Sequence, residues 1–76
     1  MNNALKIGRR KYQILGTTQS ETPKGLPIVY TSLRGTRGAE VTLMEVTNTS
    51  GYVSCTLIHF GRMKPAERIE QSWIER

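Results

Sequence analysis

The sequence predicts a mainly β fold: a small curled antiparallel sheet, or an SH3-like or OB-like barrel, of four to five strands with a short C-terminal helix. Three observations predict it. Seventy-six residues allow one domain, because a chain this short buries only about 60% of its unfolded surface and cannot support a second core. Several segments alternate apolar and polar side chains with a period of two, the pattern of strands with distinct faces. Two of them in succession, AEVTLMEVT and GYVSCTLIHF, are apolar on both faces, and a flat sheet would leave one of those faces in water. The apolar share of 37% is low, yet the alternation is too regular for a disordered chain.

The elements follow in order. MNNALKIG, residues 1–8, is polar at its start and ends on a glycine, which suggests a loosely held arm. RRKYQILG places Tyr12 and Ile14 opposite Lys11, Gln13 and Leu15 and reads as a strand ending at Gly16. TTQSETPKG is rich in turn-forming residues and reads as a loop. LPIVYTSLRG is a second strand with Val29, Thr31 and Leu33 on one face and Ile28, Tyr30 and Ser32 on the other; Pro27, which lacks an amide hydrogen, suits its first position. RGTRG then makes a turn in which Gly35 and Gly38 supply positive φ. The third and fourth strands are joined by a hairpin at Asn48–Gly51. Val41 and Leu43 oppose Thr42, Met44 and Val46 in one, and Val53, Cys55 and Leu57 oppose Tyr52, Ile58 and Phe60 in the other.

The tail KPAERIEQSWIER combines a proline at a helix start, Glu67 in a first turn, and Ala66, Ile69 and Trp73 at spacings of three and four, which favours a helix over 66–75. A closing strand with Ile69, Gln71 and Trp73 on one face is the competing arrangement. In either case Trp73 is expected to cap the open end of a core built from Ile14, Val29, Leu43, Val53 and Leu57.

Charge is distributed unevenly. The net +5 arises wholly in residues 1–38, where seven basic residues stand against Glu21 alone; residues 39–76 hold four basic residues against five glutamates. Such an asymmetry draws a polyanion or an acidic protein surface and speeds encounter with either.

Several chemistries are excluded or weakened. The chain has no aspartate, one histidine and one cysteine, so a metal site with two or more His or Cys ligands cannot form within it. His59 has no aspartate to orient it and no nucleophile at a recognisable spacing. Glu67 and Glu70 flank Arg68 as a solvated face would. No phosphate-cradling loop and no dinucleotide fingerprint is present. No enzyme activity and no cofactor are therefore expected. Cys55 has no partner for a disulfide, and no stretch has the form of a secretory or membrane-spanning segment, which points to the cytoplasm and away from membranes. Asn48-Thr49-Ser50 formally matches a glycosylation acceptor, but in that setting its role is turn chemistry.

Two basic clusters remain as candidate binding sites. Arg34 and Arg37 flank the tip of RGTRG, which has the G-x-x-G form used by one class of RNA-binding domain, although that loop joins helices and this one joins strands. If the glycines make the turn, both arginines are free for bidentate contact with phosphate or carboxylate. Arg9, Arg10 and Lys11 form the second cluster, which protects an edge strand or serves as a basic arm. Tyr12 and Tyr30 lie near these residues in sequence and are candidates for stacking on bases. The expected partner is a nucleic acid, RNA or single-stranded DNA. The alternative is an acidic surface of a larger nucleic-acid-processing protein, such as an RNA polymerase or defence nuclease, on which the chain acts as a regulator or inhibitor of the phage or mobile-element type.

Overall fold

Three hairpin loops of one design organise the chain. Thr22-Pro23-Lys24-Gly25, Gly35-Thr36-Arg37-Gly38 and Asn48-Thr49-Ser50-Gly51 end on glycines thirteen residues apart. In each, the first residue donates its N–H to the carbonyl four positions on: Thr22 to Leu26 at 2.9 Å, Gly35 to Ala39 at 2.7 Å, Asn48 to Tyr52 at 2.9 Å. The glycine N–H donates back to the first residue's carbonyl at 2.8, 3.0 and 3.0 Å. The glycines have φ of 83°, 83° and 84°, the left-handed position that closes a three-residue loop with a bulge. Identical turns at equal spacing make a meander of strands of similar reach.

The computed structural model describes residues 3–61 and 65–76. Its strands are β1 (Ala4–Ile7), β2 (Arg10–Glu21), β3 (Pro27–Gly35), β4 (Glu40–Thr47), β5 (Val53–His59), β6 (Glu67–Ile69) and β7 (Ile74–Glu75), with a 3-10 turn at Gln71–Trp73. They form one antiparallel sheet in the order β6-β5-β4-β3-β2-β1-β7. The sheet curls into a half-barrel: Glu67 of β6 comes within 3.8 Å of Arg10 of β2, and Arg76, after β7, reaches Glu45 of β4. The 3-10 turn carries the chain across the gap between the two edges.

Register assigns the faces. Rows such as Ile14–Leu33–Val41–His59 and Leu43–Leu57 lie on the inner face. Leu33, Leu43, Leu57 and Cys55 are fully buried there, joined by Leu5, Ile7, Tyr12, Val41 and Ile69. Arg34, Glu40, Thr42, Met44 and Ile58 alternate onto the outer face. Leu15 is the extra residue of a β-bulge, since Ile14 pairs with Leu33 and Gly16 with Ser32; beyond it the phase of β2 shifts by one.

The mainly β, curled antiparallel architecture is as expected, but the described residues form seven strands rather than four to five and almost no helix. Residues 66–75, expected as a helix, hold β6, the 3-10 turn and β7. The inner face explains it: Ile69 is buried opposite Cys55 and Ile74 packs against the core from β7, a division that one helix could not make. Trp73 does not cap the core; it is 48% exposed, and its carbonyl accepts the Gly8 N–H at 2.9 Å. The expected arm, residues 1–8, contains β1, held by Leu5 and Ile7 in the core; Met1 and Asn2 lie outside the described residues. The expected loop from Thr17 is strand as far as Glu21, paired along β3. Of the expected core, Leu43 and Leu57 are central, Ile14 and Val53 pack on its margin, and Val29 is half-buried outside the cluster. Gly35 has an ordinary φ, so Gly38 alone supplies the positive φ of RGTRG.

Candidate nucleic-acid interface

The turns place the basic residues at one end of the sheet. Gly8, with φ of 62°, and Arg9 connect β1 to β2 with Ile7 opposite Arg10, a two-residue hairpin loop. Tyr12 then pairs with Gly35, so Arg9–Lys11 overhangs the end of β3 and stands beside the 36–38 turn. The cleft between these hairpins has a volume of about 670 Å³ and is lined by Arg9, Arg10, Lys11, Arg37, Tyr12 and His59, among others, with Glu40 as its one carboxylate. A second cleft, about 480 Å³, adjoins it and shares Lys11, Tyr12, Gly35 and Thr36; Arg34 lines it, and it has no acidic residue. Five cations from two sequence-distant clusters thus gather at one end of the sheet, with Arg10 on the inner face and Lys11 and Arg34 on the outer one.

Tyr12 and Tyr30, the candidates for stacking, are not exposed beside these cations. Tyr12 is buried, 7% exposed, and its ring lies over Gly35, 3.7 Å from where a Cβ would stand. Tyr30 is half-buried on the outer face between Thr18 and Met44 and lines neither cleft.

Local charges are partly compensated. Arg10 lies 3.8 Å and His59 3.6 Å from the Glu67 carboxylate. The Arg10 guanidinium is raised above its ordinary range chiefly by hydrogen bonding to Tyr12, next by the charge interactions with Tyr12 and Glu67. Arg9, Lys11, Arg34 and Arg37 have no carboxylate within 4.0 Å among the described residues. The sequence reading missed Lys6, which sits directly across from Lys11 and next to Glu75. Its signal was Gly8: a turn there pairs residues six and eleven.

At the opposite part of the half-barrel, Glu45 is buried and accepts a hydrogen bond from Arg76 Nη2 at 2.6 Å. Beside it, the buried Cys55 thiol is raised above its ordinary value, first by burial and then by Glu45, with Arg76 opposing. Among the described residues no three His, Cys, Asp or Glu side chains form a metal-binding group, and no helix is long and apolar enough to cross a membrane. Comparison with protein families, curated proteins and solved structures finds no match to this chain.

Proposed function

We propose that this chain is a small, non-enzymatic, cytoplasmic binding module whose two contiguous clefts hold the phosphate backbone of a nucleic acid. The observation that carries the reading is the convergence of Arg9, Arg10, Lys11, Arg34 and Arg37 on one end of the sheet with Glu40 as the one acidic residue lining the clefts. Guanidinium forks match phosphate oxygens bidentately, and cations set around one end of the sheet can meet successive phosphates. With Tyr12 buried and Tyr30 remote, recognition runs through the backbone, so sequence preference is weak and single strands of RNA and DNA bind comparably. The lone thiol, buried and protonated, suits the cytoplasm.

That neither Tyr12 nor Tyr30 stands open beside the basic residues also favours a second reading, docking of the same residues on an acidic face of a larger nucleic-acid-processing protein, where stacking is not needed. A labelled single-stranded oligonucleotide separates them. Retardation by the purified protein at moderate salt supports the first reading; no retardation, with capture of an acidic protein partner at defined stoichiometry, supports the second.

A further inference from the structure

We infer that the second half of β2 is a dimerisation edge, on which a second copy of this chain adds antiparallel to Thr17–Glu21 about a two-fold axis at Gln19. β1 covers only the start of β2: their pairing runs from Ile7–Arg10 to Ala4–Gln13, and Ile14 donates its N–H to Asn3. Among the described residues no strand lies on the far side of Thr17–Glu21. Thr22 and Leu26 are a hydrogen-bonded pair, and antiparallel alternation then turns the N–H and C=O of Thr17, Gln19 and Glu21 away from β3. The β3–β4 turn gives the same phase, since Gly35 bonds Ala39 and leaves the even residues of β3 to bond β2.

Exposed edges are templates for another strand, and proteins blunt them with charge, proline or brevity. Among the described residues the two outermost strands are brief: β6 has three residues behind Pro65, and β7 has two. Thr17-Thr18-Gln19-Ser20 carries neither charge nor proline and is exposed throughout.

Its own chemistry selects the occupant. An antiparallel edge paired with itself is self-complementary and closes as a two-fold dimer. With Gln19 opposite Gln19, Thr18 faces Ser20 and Glu21 faces Thr17, so no like charges meet across the seam. A foreign peptide would find main-chain bonds there but none of the three clefts near the basic end to select its side chains, since Thr17–Ser20 line none of them. Nor does the net charge forbid the pairing. Gln19 is nine residues from Arg10, roughly 30 Å along a strand, so the basic clefts sit at the outer ends of the dimer, well beyond a screening length of about 8 Å. Edge and clefts are separate surfaces, so pairing at the one does not depend on what the other binds.

Sedimentation of the full chain over a concentration series up to the millimolar range tests it, with amide exchange as the structural readout. Wild type is expected to double its mass as concentration rises, with the amides of Thr17, Gln19 and Glu21 becoming slower to exchange. Gln19→Pro removes both N–H donors at the axis without touching a bond to β3 and weakens association about ten- to a hundredfold. Gln19→Lys, which sets like charges opposite each other on an otherwise unaltered fold, weakens it by about two- to fivefold. A wild type that stays monomeric throughout, or a dimer indifferent to both substitutions, overturns the inference.

Discussion

Replacing Leu57 by Ala probes the buried inner face. Leu57 is 1% exposed, stands directly across from Leu43 on β4 and from Glu67 on β6, and belongs to the cluster with Leu33 and Ile69. Truncation removes three carbons and leaves a void that the flanking strands, held by their ladders, collapse into only partly. The loss is about 2–5 kcal/mol, against a total stability of roughly 4–11 kcal/mol for a chain of this length. At about 4–8 °C per kcal/mol for a small domain, a loss of about 3 kcal/mol lowers Tm by about 12–24 °C. Thermal unfolding followed by far-ultraviolet circular dichroism measures it, with Leu15→Ala as control. Leu15 occupies the bulge and is 41% exposed, so its variant should unfold within a few degrees of wild type. Equal melting temperatures for Leu57→Ala and wild type would refute the assignment of the inner face.

Other substitutions address single features. Gly38→Ala forces a side chain into φ of 83° and should cost about 1–2 kcal/mol in urea unfolding, whereas Gly35→Ala, whose new Cβ meets nothing closer than 3.7 Å, should change stability by no more than about 0.5 kcal/mol; equal losses contradict the turn assignment. Arg76→Ala strands the buried Glu45 carboxylate and should cost about 1–3 kcal/mol, less than a fully buried pair because the arginine is half exposed; an unchanged unfolding midpoint would show that the contact does not close the half-barrel. Because the folded Cys55 thiol is raised above its ordinary 9.0, the unfolded chain loses that proton first as pH rises. Stability is therefore fully present below pH 9 and declines as pH climbs from there through the folded value. Cys55→Ala should show a flatter decline above pH 9, and the wild-type thiol should resist alkylation at neutral pH until the protein unfolds.

What was legible in the sequence was set by how many residues repeat a pattern. β3, β4 and β5 are long enough, and apolar enough, for a period of two to fix their phase, and Leu33, Leu43 and Leu57 fall on the inner face as the alternation requires. The second half of β2 is invisible to that test because GTTQSE contains no apolar residue; its conformation comes from the ladder with β3. The last strands are too short for any period, and Ala66, Ile69 and Trp73 mimic helical spacing while Ile69 and Ile74 in fact serve a sheet. The thirteen-residue spacing of Gly25, Gly38 and Gly51 was present in the sequence and would have located all three turns. Both basic clusters were legible as charge, but their convergence was not, because it depends on the cross-strand pairing of Tyr12 with Gly35. That same pairing buries the ring that sequence position alone offered for stacking.

The salt dependence of binding reads out the phosphate contacts at the two clefts. Fluorescence anisotropy of a labelled single-stranded oligonucleotide, titrated with wild-type protein over a series of salt concentrations, should give a log-log slope of about −3, since each phosphate contact contributes roughly −0.7 and Arg10 is partly engaged by Glu67. Arg34→Ala combined with Arg37→Ala should flatten that slope by about 1.4 while the circular dichroism spectrum stays that of the folded chain, because Gly38 still makes the turn. A double variant that binds with wild-type affinity and slope, or a wild type whose binding ignores salt, contradicts the assignment of these clefts to a phosphate backbone.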